Sequence, residues 1–188
     1  GMRALFIEPP MAEADAARWV TAEEFAAAQG FLREHRRREY LTWRAIVRRA
    51  LGPDVQIGYN DHGAPVVGDG RACIGVSHCA GRVAVCISDA PCAVDIEPES
   101  RNFSRALPRY MSPQEQALSS DPLLPAVVWC AKEALYKYAG RPGLDLLDDL
   151  HVDAVDFEAG TVAGHIGGEE PVGLSLRRSD GFIIVYIL

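Results

Sequence analysis

Lysine is nearly absent from this sequence: against 17 arginines it has two lysines, Lys132 and Lys137, in one short segment. An ammonium placed there and nowhere else points to a need for a compact, strongly hydrated charge rather than arginine's planar fork. Paired cysteine spacing is missing too. The five cysteines, Cys73, Cys79, Cys86, Cys92 and Cys130, are an odd number with no C-x-x-C, so neither a disulfide framework nor a structural zinc is expected. No long apolar run occurs near the start, where Arg3 to Val20 is broken by Glu8, Pro9, Pro10, Glu13 and Asp15. Neither a signal peptide nor a membrane span is expected there, and the cytoplasm is the expected location. Net positive charge is also lacking. The formal charge of −7 argues against general nucleic-acid affinity. One basic cluster stands apart, Arg33, Arg36, Arg37, Arg38, Arg44, Arg48 and Arg49, and it suits a compact anion better than a duplex.

What is present is enough for a sizeable core: 188 residues, 48% of them apolar. Thr21-Ala-Glu-Glu24 offers a capping box before an Ala-rich helix. A second helix is expected from about Glu34 to Leu51, where Tyr40, Trp43, Ile46, Val47 and Ala50 recur at helical spacing and Gly52-Pro53 stops the chain. Strands are expected at Val55 to Tyr59 and Pro65 to Val67 around an Asn60-Asp-His-Gly63 turn, then at Ala72 to Ser77, Val83 to Ser88 and Cys92 to Glu97. Ser112-Pro-Gln-Glu115 is a further capping box, and Pro125 opens a longer helix through Ala139 that Gly140-Arg-Pro142 ends. Strand-like segments follow near 150–158, 161–166, 172–177 and 182–188.

The chain also resembles itself. Ala45-Ile-Val-Arg48-Arg-Ala50 aligns with Ala134-Leu-Tyr-Lys137-Tyr-Ala139, and Ile74-Gly-Val-Ser77 with its following strand aligns with Val172-Gly-Leu-Ser175 and Gly181-Phe-Ile-Ile-Val-Tyr-Ile. Each half reads as helix, hairpin, hairpin. The fold expected is therefore α+β, with halves at 1–90 and 91–188 packed as a pseudo-two-fold dimer and a ligand site at their interface.

Three short pieces carry candidate chemistry. In Cys92-Ala-Val-Asp95-Ile-Glu97-Pro98, strand alternation puts Asp95 and Glu97 on one face, about 7 Å apart, where they could share one hard cation. Taken alone, a D-x-E is most often a solvated strand end. Trp129-Cys-Ala-Lys132-Glu133-Ala-Leu-Tyr-Lys137 places Trp129, Glu133 and Lys137 along one helix face, an arrangement that alone would be an ordinary surface Glu-Lys pair. Ser77-His78 ends a strand, where both side chains could hydrogen-bond a phosphate or merely satisfy a loop.

In combination these pieces say more: basic helix, Asn-x-x-Gly-x-Pro turn, Ser-His, Asp-x-Glu, then Trp-x-x-Lys-Glu-x-x-x-Lys. That order resembles the 4′-phosphopantetheinyl transferases, in particular the larger, monomeric, pseudo-dimeric class. Its motifs cover about residues 30 to 140. The resemblance implies a holo-acyl-carrier-protein synthase activity. Coenzyme A would be the donor, Mg2+ the cofactor, and a serine on an acyl or peptidyl carrier protein the acceptor, with 3′,5′-ADP released. Carried over by motif, Asp95, Glu97 and Glu133 would surround the metal. Lys137, Lys132, Ser77 and His78 would meet the phosphates, and Arg37, Arg38 and Arg44 would face the 3′-phosphate. Glu133, Lys137 and His78 would form the catalytic set, with Glu133 taking the serine proton.

The sequence departs from that pattern in three places. The usual Gly-Lys-Pro turn is Gly63-Ala64-Pro65, leaving Arg71 as a substitute cation; Ser-His-Ser is Ser77-His78-Cys79; and basic residues are sparse between Thr21 and Phe31. Other readings of the same residues are a metal-dependent phosphohydrolase or nuclease and a non-catalytic coenzyme A-binding module. Because carrier proteins are generally acidic and this chain is acidic, docking is expected on a local basic or apolar patch around Phe103 to Met111 and the helix after Ser112, with Phe103, Leu107, Tyr110 and Met111 supplying apolar surface.

Overall fold

A computed structural model describes all 188 residues, which divide into two compact units, Gly1–Pro91 and Cys92–Leu188. Both are mixed α and β with antiparallel sheets.

The first unit runs β1 (Arg3–Glu8), α1 (Glu13–Ala16), α2 (Ala22–Ala28), α3 (Glu34–Leu51), β2 (Ile57–Tyr59), β3 (Pro65–Val67), β4 (Cys73–Cys79) and β5 (Arg82–Ser88). Its main sheet has the order β1-β5-β4, and β2-β3 is a separate hairpin. The helix expected at 34–51 forms with those bounds. It lays Trp43, Ile46 and Val47 on Val83, Val85 and Ile87 of β5, the apolar stripe that its periodicity prescribes. Gly52 follows at φ +116°, backbone that a side chain rarely adopts. The Thr21–Glu24 capping box forms with both of its reciprocal bonds.

The second unit runs β6 (Ala93–Pro98), α4 (Leu107–Tyr110), α5 (Pro113–Gln116), α6 (Leu124–Ala139), β7 (Leu150–Asp156), β8 (Thr161–Ile166), β9 (Val172–Ser179) and β10 (Phe182–Ile187). Its single five-stranded sheet has the order β6-β10-β9-β8-β7. α6 packs across it through Val127, Val128, Ala131, Ala134 and Leu135, against Ala93, Leu150, Ile183 and Val185. Gly140, in the left-handed region at φ +65°, ends α6.

Each unit thus repeats one path: strand, long helix, hairpin, hairpin, with the first strand paired to the last (β1 to β5, β6 to β10). β1 was not expected from the sequence. Register makes the correspondence explicit, because Glu8 pairs with Val83 as Glu97 pairs with Ile183, and Phe6 with Val85 as Asp95 with Val185. Ala4-Leu-Phe-Ile-Glu-Pro9 is therefore the counterpart of Ala93-Val-Asp-Ile-Glu-Pro98. The same offset sets Arg44 against Glu133 and Arg48 against Lys137.

The apolar docking surface expected at Phe103 to Met111 is not there. Phe103, Tyr110 and Met111 are buried in the core of the second unit. Tyr110 meets Trp129 edge-on at 5.1 Å and donates its hydroxyl to the Pro125 carbonyl. Only Leu107 of that group is partly exposed. With helices four residues long, the segment has no periodicity by which core could be told from surface.

Candidate active site

In the second unit, β6 and α6 bring the acidic and basic motif residues together. Asp95 and Glu97 alternate with Val94 and Ile96 along β6, and their register partners Val185 and Ile183 belong to the sheet face that α6 covers. The two carboxylates therefore point toward the helix rather than to bulk water. α6 meets them with one stripe, Trp129, Glu133 and Lys137, four residues apart and so one above the other. The Trp129 indole N–H donates to Glu97. Lys137 Nζ donates to the Val94 carbonyl at 3.0 Å and to Asp95 Oδ1 at 3.2 Å. Glu133 lies between these two tethers in the stripe. Cys130, fully buried, donates its thiol to Asp95.

Electrostatics follow from that crowding. Burial raises the Glu133 carboxyl above its ordinary pKa, and the negative charges of Asp95 and Glu97 add to this against the opposing pull of Lys137 and Arg101. Glu97 is also raised, by burial first, with Arg101 opposing and Asp95 reinforcing. Burial and the same two carboxylates push the Cys130 thiol well up, so it stays a protonated donor. One buried and two half-buried carboxylates that repel one another form an oxygen-rich set whose charge a hard divalent cation would relieve. The donor chemistry fits Mg2+. Side-chain positions are less closely drawn, since no three His, Cys, Asp or Glu side chains are gathered to ligating distance. Protein cations occupy two of the carboxylates instead: Lys137 engages Asp95 at 3.2 Å, and Arg101 engages Glu97 at 2.6 Å.

Lys132 requires a correction. Expected at the phosphates, it is completely buried, and its three donors go to the Tyr110 carbonyl at 2.6 Å, Leu146 carbonyl at 2.7 Å and Glu115 Oε1 at 2.9 Å. No donor is left for a ligand. Burial lowers the ammonium's pKa, and the hydrogen bond and charge of Glu115 oppose that. Glu115 accepts from Ser112 N through Oε1 and from Val152 N through Oε2. Lys132 and Glu115 thus tie α4, α5, α6, the 146 loop and β7 into one buried knot. Helix geometry explains the divergence from Glu133, because adjacent helical residues lie about 100° apart around the axis.

In the first unit the expected nucleotide-binding residues are placed as follows. Ser77 and His78 lie inside β4 rather than at a loop. Being consecutive in a strand they take opposite faces, with Ser77 buried and His78 exposed and 3.3 Å from Glu39. Arg37 bonds the carbonyls of Phe31 and Leu32, and Arg38 those of Met11 and Pro10. Arg44 is buried, its guanidinium 3.6 Å from the centroid of Tyr40 and 4.1 Å from that of Trp43. It donates to Tyr59 Oη at 2.7 Å and to the Tyr40 carbonyl at 2.9 Å. Arg71 is paired with Asp69. Nothing sequence-based anticipated Arg101 or the Cys130–Asp95 bond; the i, i+4 spacing of Glu97 and Arg101 was the signal available for the first.

A strand carrying Asp-x-Glu, packed under a helix carrying Trp, Glu and Lys in one stripe, describes a carboxylate-lined site suited to a metal and a phosphorylated substrate. The family model of the 4′-phosphopantetheinyl transferase superfamily matches residues 91–180, which hold every element of that site. That match, over just under half of the chain, is a likeness to the superfamily that the motif order resembles, and it supports phosphopantetheine transfer in general terms. No curated protein matches the chain.

Proposed function

We propose that this protein transfers 4′-phosphopantetheine from coenzyme A to a serine of an acyl or peptidyl carrier protein, with Mg2+ held by Asp95, Glu97 and Glu133. The observation that carries the reading is the packing of the Trp129–Glu133–Lys137 stripe over Asp95 and Glu97 inside the segment that the superfamily model matches. When bound, the metal would supply positive charge to the diphosphate that is cleaved. The chain's own residues do the rest. Glu133, with its carboxyl raised by burial and by two neighbouring carboxylates, accepts the serine proton. The serine oxygen bonds to the β-phosphorus, the bond to the leaving phosphate breaks, and 3′,5′-ADP departs with the electron pair. Lys137, held on Val94 O and Asp95, offers its ammonium to the phosphates. Ser77, His78 and the arginines of α3 are proposed at the nucleotide on the strength of motif order. Arg37, Arg38 and Arg44 would have to exchange their present partners to serve there.

The matching strand–helix–hairpin–hairpin paths support descent of both units from one duplicated module. A monomeric, cytoplasmic enzyme is part of the same proposal. The test is intact-mass analysis of a purified apo carrier incubated with coenzyme A, Mg2+ and this protein. The expected result is a carrier heavier by one phosphopantetheine and 3′,5′-ADP in solution. Coenzyme A cleaved without any carrier would favour a phosphohydrolase instead, and tight binding without transfer would favour a binding module.

A further inference from the structure

Arg101 lies outside every motif that led to the site, yet it is as closely involved with it as Lys137. Its guanidinium is 2.6 Å from Glu97 Oε1. It also rests over two rings, 4.7 Å from the centroid of Phe103 and 4.8 Å from that of Trp129. A turn bond from Arg101 N to the Pro98 carbonyl at 3.1 Å fixes the backbone beside it. Contact with two rings at once suits arginine's broad, delocalised cation better than a lysine ammonium. Glu97 therefore has two protein donors, Arg101 and the Trp129 indole, on oxygens that a hard cation would need. The charges add up simply: Asp95, Glu97 and Glu133 against Lys137 and Arg101 leave the cluster with a single net negative charge. A divalent ion arriving with both cations in place meets an almost neutral site, which is a poor one. Of the two cations, Lys137 is also bonded to backbone at Val94, whereas Arg101, exposed to a similar degree, is held at the site by Glu97 and the two rings.

We propose that Arg101 is a resident counter-cation for Glu97 which a divalent ion displaces from the carboxylate, so that Arg101 sets the metal affinity of the site. The aromatic pair keeps the displaced guanidinium close, because the faces of Phe103 and Trp129 attract its charge whether or not Glu97 accepts from it. The proposal rests on the reading of the carboxylates as a metal site.

The test is Mn2+ binding to the full chain without coenzyme A, by calorimetry and by loss of the free-ion electron paramagnetic resonance signal. Wild type is compared with Arg101→Gln, Arg101→Lys and Glu97→Gln, and with the Arg101→Gln, Glu97→Gln pair. Arg101→Gln is expected to bind roughly tenfold tighter, since a full positive charge leaves the first neighbours of the ion. Arg101→Lys is expected between the two. In the Glu97→Gln background the effect of Arg101→Gln should largely vanish, a coupling that distant electrostatics or a loss of packing would not produce. Equal or weaker binding by Arg101→Gln, with wild type binding normally, overturns the role of Arg101 and leaves the metal site standing. An Arg101→Gln gain undiminished in the Glu97→Gln background also overturns it. Absence of binding in every variant overturns both.

Discussion

The two units follow the same path and use it for opposite purposes. Where β6 has Asp95 and Glu97, β1 has Phe6 and Glu8; where α6 has Glu133 and Lys137, α3 has Arg44 and Arg48. In the first unit those charges are neutralised by partners of their own. Glu8 is paired with Arg49. Arg48 grips Glu24 with two bonds of 2.5 and 3.1 Å, Arg44 lies 3.6 Å from the same carboxylate, and Arg48 also bonds the Val55 and Trp19 carbonyls. Glu24 comes from the capping box of α2, as Glu115, the partner of Lys132, comes from that of α5. Opposite charges in the first unit are matched, and the result is a buried ion pair that ties helices together. In the second unit like charges are crowded on β6 and α6, and burial first, with that crowding added, raises the carboxyls of Glu97 and Glu133. Repulsion of that kind costs stability and is tolerated where chemistry needs it.

The sharpest break between the units is in rate. Glu133→Gln should lower carrier modification by two to four orders of magnitude, roughly the range of a general base. It should leave the unfolding midpoint unchanged or higher, because it removes a half-buried repelling charge. Transfer kinetics and chemical denaturation on the same preparation check both halves of that statement.

Next in size are losses of stability. Lys132→Met leaves Glu115 buried without its cation and should cost about 3–5 kcal/mol in denaturant unfolding. Lys137→Met, five residues on, should cost far less and instead impair transfer. Arg48→Met, at the position in α3 that matches Lys137, should behave like Lys132→Met, at about 3 kcal/mol, because it strands Glu24. If Lys137→Met proved the more destabilising of the α6 pair, the assignment of one lysine to structure and the other to the site would be wrong.

Acid separates the units more gently. Burial alone would raise Glu24, but the Arg48 hydrogen bond, the Thr21 backbone and the charges of Arg48 and Arg44 outweigh it and lower the pKa. A folded pKa below the unfolded one means stabilisation present above the ordinary value and lost as pH falls through the folded value. Glu97 and Glu133, both raised, have the reverse sign: they cost stability as pH rises from the ordinary value through their folded values. Hydrogen-exchange protection between about pH 5 and pH 3 should therefore fall first for amides of α2 and the adjoining part of α3. Glu24→Gln should remove most of that early loss.

Much of this was legible in the sequence. The bounds of α3, both capping boxes and the hairpins follow from periodicity, turn residues and spacing, whereas the meeting of Asp95, Glu97, Glu133 and Lys137 was implied by the family resemblance of the motif order. β1 escaped because Ala4 to Ile7 is a short apolar run without alternation, followed by two prolines. Its likeness to β6, Ala-x-x-Ile-Glu-Pro in both, was the signal that could have found it. Lys132 was misplaced because adjacency to Glu133 in the sequence is divergence on a helix, and its partner Glu115 reads as nothing more than a capping acid. The burial of Phe103, Tyr110 and Met111 depends on tertiary contacts with Trp129 and its neighbours, which no local pattern encodes.

The central claim is that the second unit sacrifices stability at Glu133 for phosphopantetheine transfer. It is tested most directly by measuring, for wild type and Glu133→Gln side by side, the mass gained by an apo carrier and the unfolding midpoint. The account predicts a carrier heavier by one phosphopantetheine with wild type only, and a midpoint in the variant at least as high. Transfer retained at the wild-type rate by Glu133→Gln, or its loss together with a clearly lowered midpoint, would contradict it.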